Sequence, residues 1–243
     1  MKRFLKPVIR VTPAFDEGEK LPASKASLYL RREYTREIAA AGAIPIVLSP
    51  DMHIDEILEL CDGLIISGGE DIPAEVYGGA ALLTVPEPLE RVMWERMLID
   101  RFADEHKPIM GICYGMQLLA LHYGGALYQD IAREVENAMQ HVLVHHAVDI
   151  QTDFLGLQRG QQVVVASRHH QAVAMLPDQF ELCARAPDGV IEAMRHETIY
   201  GIQWHPESDG TGAHIYGRFS KQCRQSSGFT NRGEAATIVR NIK

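Results

Sequence analysis

The sequence predicts an α/β fold: three layers, α/β/α, around a mostly parallel, flavodoxin-like central sheet, with a smaller antiparallel β layer appended to it. Two observations predict this fold. In the first half of the chain, short apolar runs typical of strands alternate with segments of helical periodicity, as in right-handed crossovers onto a parallel sheet. In the second half, short strand candidates follow one another between glycine, proline and aspartate residues, which is typical of antiparallel pairing.

The first half supplies the elements of the parallel sheet. Its predicted strands cover residues 7–11, 44–48 and 64–66 and the apolar run that ends at Cys113. Its predicted helices cover residues 28–41, 54–61 and 91–106. Gly42 ends the first of these helices and Lys107-Pro108 the last.

The second half predicts the antiparallel strands and one more helix. The strands cover residues 142–150, 161–167, 180–186, 190–195 and 198–203, with a hairpin turn at Asp188-Gly189. A final helix is predicted from about residue 213 to residue 223. Because no polar linker divides the chain, we assign residues 1–224 to one domain and residues 225–243 to a polar C-terminal tail.

Composition limits the classes of function. With 46% hydrophobic and 23% charged residues, the chain has the composition of a globular protein. The net charge of −8 argues against nucleic acid as a partner, and we find neither a signal peptide nor an apolar segment long enough to cross a membrane. The four cysteines are widely spaced and form no Cys-x-x-Cys pair, so we expect a cytoplasmic protein with free thiols.

The central motif is Gly111-x-Cys113-x-Gly115, at the junction of a predicted strand and a helical segment. It is the thiol counterpart of the Gly-x-Ser-x-Gly elbow, in which a nucleophile stands on a strained strand-to-helix turn. The glycines remove side chains that would crowd the turn, and the helix N-terminus favours a thiolate. The alternative interpretation is a buried structural cysteine at a tight turn.

A thiol nucleophile needs a base and oxyanion donors. His205 and Glu207 are two residues apart at the end of an extended run, so the carboxylate can hold one imidazole nitrogen while the other faces the thiol. A surface histidine and glutamate at a strand exit are the alternative. The backbone N–H of Tyr114 is one candidate oxyanion donor, and that of Gly68 or Gly69 is the second.

Three separate segments, taken together, resemble a known family. Residues 111–117 (Gly-Ile-Cys-Tyr-Gly-Met-Gln), residues 204–207 (Trp-His-Pro-Glu) and residues 67–69 (Ser-Gly-Gly) are similar to the class I glutamine amidotransferase-like superfamily. Residues 67–73, 167–171 and 188–193 resemble its γ-glutamyl hydrolase branch, peptidase family C26, which includes the γ-glutamyl-γ-aminobutyrate hydrolases. The resemblance extends from Pro7 to about Phe219.

The resemblance implies a role for each matching residue. Cys113 is the nucleophile, His205 the general base and acid, and Glu207 the residue that orients it. Gly69 and Tyr114 supply the oxyanion N–H groups. The implied substrate-binding residues are Gly68, Gln117, Ser167, His169 and His170. Two positions depart from the pattern: Tyr114 stands where arginine is usual, and Arg91-Val92 stands where Arg-Asp is usual.

The function predicted from these residues is hydrolysis of a small-molecule γ-glutamyl amide through a γ-glutamyl thioester, without a metal or organic cofactor. A glutaminase subunit that delivers ammonia to a separate synthetase partner uses the same triad and is the alternative; a non-enzymatic regulatory protein is a third. The prediction leaves a homo-oligomer open. His141, His145 and His146, with His169 and His170, raise the question of a metal site, but their spacing matches no helix-borne zinc motif, so none is predicted.

Overall fold

A nine-stranded sheet forms the centre of the computed structural model, which describes residues 6–18, 25–78 and 86–226. The strands are β1 (Val8–Val11), β2 (Ala14–Asp16), β3 (Ser27–Tyr29), β4 (Ile44–Val47), β5 (Gly63–Ile66), β6 (Ile109–Ile112), β7 (Ala126–Tyr128), β8 (Val144–Ile150), β9 (Gln162–Ser167), β10 (Ala172–Met175), β11 (Glu181–Arg185), β12 (Ile191–His196) and β13 (Ile199–Ile202). The order along the sheet is β4-β1-β5-β6-β13-β12-β11-β8-β9. Two small antiparallel sheets pair β2 with β3 and β7 with β10.

The central sheet has a parallel and an antiparallel half. The five strands from β4 to β13 run parallel to one another, and the other four extend the same sheet in antiparallel order. β5 and β6 are buried along their whole length, as is usual for apolar strands covered on both faces. The predicted fold class is confirmed, and the antiparallel layer continues the edge of the main sheet.

Helices cover both faces of the sheet. They are α1 (Arg32–Ala40), α2 (Ile54–Glu59), α3 (Leu89–Asp104), α4 (Tyr114–His122), α5 (Ile131–Glu134) and α6 (Gly212–Ser226), with single 3-10 turns at Ala74–Val76 and Pro206–Ser208. Leu64 of β5 packs in the core that α2, α3 and α4 share, whereas Ile65 packs with α1 and α6 on the other face. Within the described ranges, every helix is too short or too polar to span a membrane.

The register of β6 determines where the site forms. Gly111 of β6 lies opposite Ile66 of β5 on one side and Gly201 of β13 on the other. Because these three strands are parallel, their carboxyl ends meet at one edge of the sheet. The segments that follow them, including Cys113 after β6 and His205 after β13, therefore leave the sheet side by side.

Several predicted boundaries differ from the structure. The helix predicted over residues 28–41 begins at Arg32, because Leu28 and Tyr29 instead pair with Phe15 and Ala14 in the β2–β3 sheet. The short elements β7, β10 and α5 were not predicted. α6 extends to Ser226, so the first two residues assigned to the tail are helical, and residues 227–243 lie outside the described ranges.

Candidate active site

Cys113 lies at the sharp turn between β6 and α4. Its φ of 53° and ψ of −107° lie in a region that L residues rarely adopt, as expected for a nucleophile elbow. The Cys113 N–H donates to the Ile202 carbonyl at 2.7 Å, and the Gln117 N–H donates to the Cys113 carbonyl at 3.1 Å. These bonds hold the thiol at a helix N-terminus, where the helix dipole favours a negative charge.

The two glycines of the motif allow helix and strand backbones to touch. A Cβ atom at Gly111 would overlap the Gly115 carbonyl, and one at Gly115 would overlap the Ile66 carbonyl. Any larger residue at either position would push α4 away from β5 and β6. The glycines therefore keep side chains out of the turn, as the sequence predicted.

His205 faces Cys113 from the segment after β13. Its side chain hydrogen-bonds the Cys113 thiol, and its Nδ1 donates to Glu207 Oε1 at 2.7 Å. Both His205 and Glu207 are buried. Glu207 lies in the 3-10 turn Pro206–Ser208, so the chain turns to bring the carboxylate to the imidazole; the strand alternation expected from the sequence is not the cause.

The electrostatics of this arrangement favour a charged imidazole. Burial lowers the pKa of His205, but the Cys113 sulfur and the Glu207 carboxylate outweigh it and raise that pKa to about 10. At neutral pH the imidazole is therefore protonated and can give a proton to a leaving group.

The loop of residues 67–69, which follows β5, is held by hydrogen bonds on both sides. The Gly68 N–H donates to the Tyr34 hydroxyl at 2.9 Å. The Glu70 N–H donates to Glu87 Oε1 at 2.7 Å. The peptide N–H between them, that of Gly69, is thus fixed in direction by its neighbours.

Gly69 and Tyr114, the two predicted oxyanion donors, line the same cavity as Cys113. Tyr114 is the first residue of α4, and a helix leaves the N–H groups of its first turn without an acceptor inside the helix. Both backbones are therefore available to bind a negative charge next to the thiol.

A buried arginine supports this side of the site. Arg91, fully buried on α3, pairs with Glu87 at 3.0 Å and with Glu95 at 3.1 Å. Its Nη2 also donates to the carbonyls of Ser67 at 3.2 Å and Gly68 at 3.3 Å. These charge-assisted hydrogen bonds tie α3 to the loop of residues 67–69.

The Tyr114 side chain belongs to the same buried cluster. It is fully buried, and the Arg91 guanidinium carbon lies 4.2 Å from its ring centroid, a cation–π contact. Val92, at the other departure from the family pattern, is fully buried in the apolar core. Both departures therefore place side chains in the interior of the protein.

Two cavities adjoin at the Cys113–His205 pair. The first, with a volume of about 270 Å³, is lined on the thiol side by Asp71, Cys113, Tyr114, Gln117, His169, His170 and Gln171. The second, of about 190 Å³, is lined on the imidazole side by Ala14, Tyr29, Leu30, Arg31, Tyr34, Ser67, Gly68 and His205. Gly69, Glu70 and Arg168 line both.

The predicted substrate-binding residues have different surroundings. Gly68 lines the second cavity and Gln117 the first, where the Gln117 amide donates to the Gln171 carbonyl at 2.9 Å. Ser167 is fully buried, and its hydroxyl donates to the His141 carbonyl at 2.6 Å. The structure therefore gives Ser167 a place beneath the loop, away from both cavities, which corrects the expectation of a substrate contact.

The two histidines of the same loop point in different directions. His170 is half-buried, and its Nε2 lies 2.8 Å from Asp71 Oδ1; this hydrogen bond raises the pKa of His170. His169 is buried and turns its ring toward Glu192, away from the open part of the cavity.

Arg168 was not among the predicted site residues. It lines both cavities, and its Nη1 is buried without a hydrogen-bond partner among the described residues. The signal in the sequence is a cationic residue within the Ser-Arg-His-His-Gln run, at the carboxyl end of a predicted strand. A buried guanidinium nitrogen without a partner suits an anionic ligand group.

Comparison with known proteins identifies the family. The peptidase C26 model matches residues 7–207. The chain belongs to the peptidase C26 family. A glutamine amidotransferase-like protein of Rickettsia prowazekii is 31% identical to this C26 chain over 257 residues, covering 83% of this chain and 91% of the relative.

Two further similarities concern GMP synthases. The glutamine-hydrolysing subunit of a GMP synthase from Thermococcus kodakarensis is 33% identical over 165 residues, covering 66% of this chain and 75% of the relative. The solved structure of a GMP synthase subunit from Thermoplasma acidophilum superposes with a TM-score of 0.67 at 22% identity, covering 93% of this chain and 98% of the other. The latter likeness confirms the fold of the family.

The first prediction concerns the charge of His205. In Glu207→Gln the carboxylate that helps to raise the pKa of His205 to about 10 is lost, so the imidazole should lose its proton at lower pH. We expect the midpoint to fall by about one pH unit or more, as measured by NMR titration of the labelled imidazole. The exposed Glu181→Gln variant is the control and should leave the midpoint in place. Equal midpoints in the wild type and Glu207→Gln would contradict this account.

The second prediction concerns Arg91. Arg91→Met leaves the buried carboxylates of Glu87 and Glu95 without their cation, so the free energy of unfolding should fall by about 3–5 kcal/mol. Arg101, also on α3, pairs with Asp55 on the surface, and Arg101→Met should cost at most about 1 kcal/mol. Urea denaturation measures both, and similar losses in the two variants would show that the Arg91 cluster does not support the fold.

Proposed function

We propose that this C26 protein hydrolyses a γ-glutamyl amide bond through a γ-glutamyl thioester on Cys113. The observation that carries the proposal is the hydrogen-bonded chain from Cys113 through His205 to Glu207, at the junction of two cavities. A nucleophile, a proton donor and an orienting carboxylate in this order are what acyl transfer requires.

In the first half of the reaction the Cys113 sulfur attacks the γ-carbonyl carbon. The backbone N–H groups of Gly69 and Tyr114 stabilise the negative charge on the carbonyl oxygen. As the carbon–nitrogen bond breaks, the His205 imidazolium gives its proton to the departing amine. The γ-glutamyl group remains on sulfur as a thioester.

In the second half, water replaces the amine. Neutral His205 takes a proton from the water, and the oxygen attacks the thioester carbon at the same oxyanion site. The carbon–sulfur bond breaks, free glutamate leaves, and the thiolate and imidazolium are restored. Glu207 keeps Nδ1 protonated throughout, so that the other ring nitrogen exchanges the proton.

The cavity on the thiol side suits a γ-glutamyl group. Arg168 offers an unpartnered guanidinium nitrogen to the α-carboxylate. The carboxylates of Glu70 and Asp71 line the same cavity and favour the α-ammonium group. Gln117 lies alongside, with its amide fixed by the Gln171 carbonyl.

The cavity on the imidazole side suits a leaving amine larger than ammonia. Its volume of about 190 Å³ adjoins His205, the proton donor, and it is bounded by Tyr29, Arg31 and Tyr34. This space favours hydrolysis of substituted γ-glutamyl amines over glutamine. All four cysteines are free thiols, which favours a reducing compartment such as the cytoplasm.

A glutaminase subunit is the second candidate function. It is favoured by the 33% identity to the Thermococcus kodakarensis GMP synthase subunit, the name of which describes a glutamine-hydrolysing component. The two functions differ in what the isolated chain does: a stand-alone hydrolase turns over γ-glutamyl amines by itself, whereas a glutaminase subunit needs its synthetase for full activity.

The third prediction tests the proposed reaction. The purified protein is assayed with γ-glutamyl amines, glutamine and folate polyglutamates, together with Cys113→Ala and, as a control, the buried Cys61→Ala. We expect turnover of γ-glutamyl amines faster than of glutamine, a loss of about a thousandfold or more in Cys113→Ala, and no comparable loss in Cys61→Ala. Turnover that persists in Cys113→Ala would sink the mechanism; glutamine hydrolysis that appears only with a synthetase would favour the second function.

The fourth prediction concerns substrate recognition. Arg168→Gln removes the proposed partner of the α-carboxylate, so KM should rise about tenfold or more for every γ-glutamyl substrate, glutamine included. Arg31→Gln is the matched control, because Arg31 lines only the cavity on the imidazole side. It should change the ranking of leaving amines and leave the KM for glutamine as it is. Similar effects of both variants on glutamine would remove Arg168 from its assigned role.

A further inference from the structure

Four buried side chains face one another beneath the loop of residues 167–171. His141 precedes β8, His146 lies in β8, His169 lies in the loop itself and Glu192 lies in β12. Their exposed fractions are 2%, 6%, 4% and 0%. The reaction proposed for Cys113 uses none of them.

Their distances fit a tetrahedral metal site. Glu192 Oε1 lies 3.4 Å from His141 Nδ1, 3.5 Å from His146 Nε2 and 3.7 Å from His169 Nε2, and the four ligand atoms all lie within 4.8 Å of one another. Zinc bonds to imidazole and carboxylate of about 2.0–2.2 Å give tetrahedral edges of roughly 3.3–3.6 Å. Hydrogen bonds between nitrogen and oxygen are shorter, about 2.7–3.2 Å.

The outer nitrogen of each imidazole is already hydrogen-bonded. The acceptors are Asp188 Oδ2 for His141 at 2.9 Å, the Ala147 carbonyl for His146 at 3.0 Å and the Gln171 carbonyl for His169 at 3.0 Å. Because these acceptors bind a proton on the outer nitrogen, the inner nitrogen of each neutral ring presents a lone pair. Carboxylate or carbonyl partners in these positions are typical of metal-binding histidines.

The inner atoms lack partners. His141 Nδ1, His146 Nε2, His169 Nε2 and both Glu192 oxygens are buried without a hydrogen bond among the described residues. Three lone pairs and a carboxylate thus converge with no donor between them, which is costly in a buried site unless a cation lies there.

A proton is the competing cation. Burial lowers the pKa of His141, but the carboxylates of Glu192 and Asp188 outweigh it and raise that pKa. A proton on His141 would satisfy one Glu192 oxygen and would leave the lone pairs of His146 and His169 without a donor. One metal ion satisfies all four ligands together.

We propose that His141, His146, His169 and Glu192 bind one divalent transition-metal ion, Zn²⁺ by preference, in a closed tetrahedral site. Three imidazole nitrogens and one carboxylate oxygen are ligands that zinc favours, and four protein ligands leave no open position for catalysis. This proposal revises the expectation of no metal, which rested on the spacing of histidines along the chain.

The ion would position the substrate loop. Arg168 precedes His169, and the Gln171 carbonyl accepts hydrogen bonds from both His169 Nδ1 and the Gln117 amide. Fixing His169 to β8 and β12 therefore fixes the segment that carries Arg168 into both cavities. In this role the four ligands are positioning residues that act through the loop.

The test begins with metal content. The full chain is freed of metal with a chelator and titrated with Zn²⁺ or Co²⁺. We expect one equivalent of zinc per chain by elemental analysis, visible bands of tetrahedral Co²⁺, and an X-ray absorption spectrum with three nitrogens and one oxygen at about 2.0–2.2 Å. These measurements use the wild type and do not depend on whether a variant folds. A wild type that takes up no stoichiometric Zn²⁺ or Co²⁺ overturns the proposal and leaves the protonated His141 as the cation.

Matched variants locate the ion. His146→Ala should abolish stoichiometric binding, whereas His145→Ala, its exposed neighbour on β8, should retain it. Asp188→Asn, which alters only the partner of His141, should weaken binding by about 10–100-fold. Cys113→Ala should keep the ion, which separates this site from the proposed nucleophile. Equal binding by His146→Ala and His145→Ala, or loss of the ion in Cys113→Ala, would assign the metal to other residues.

Discussion

The backbone contact between helix α4 and strands β5 and β6 is the constraint on which the rest of the site depends. It requires glycine at 111 and 115, because a Cβ at either position would overlap a backbone carbonyl. With the helix this close, the chain must turn sharply at Cys113, which accepts a φ of 53°. The thiol then stands at a helix N-terminus, between the two parallel neighbours of β6. The position of the nucleophile follows from packing in the middle of the sheet.

Two loops meet across Cys113, and buried charges support each of them. Arg91 and its two glutamates lie behind the loop of residues 67–69, and the cluster of three histidines around Glu192 lies behind the loop of residues 167–171. Buried charges are costly to desolvate, so such clusters are weak evidence for stability alone. Here they fix the directions of the N–H groups and of the guanidinium that border the two cavities. Rigid support of this kind is what an acyl-transfer site needs, because its donors must already point at the developing charge.

Much of the fold and the order of the catalytic residues could be predicted from the sequence, because both depend on local patterns. Apolar runs with flanking glycines marked β5 and β6, and the segments around Cys113 and His205 follow strands of the parallel sheet. Features that depend on distant contacts could not be predicted. Leu28 and Tyr29 fit a helical pattern, yet pairing with β2 makes them a strand. Ser167 matched a family motif, but the His141 carbonyl takes its hydroxyl. The histidine cluster draws its ligands from four segments, so no spacing along the chain could reveal it.

The most direct test of the central claim is to identify the atom that carries the γ-glutamyl group during turnover. The enzyme is mixed with a γ-glutamyl amine, quenched in acid within the first turnover, digested and analysed by mass spectrometry. A thioester on Cys113 predicts one added γ-glutamyl group on the peptide that contains Cys113, absent from Cys113→Ala and lost on treatment with hydroxylamine. Turnover with no adduct on that peptide, or with the adduct on Cys61, Cys183 or Cys223, would contradict the account.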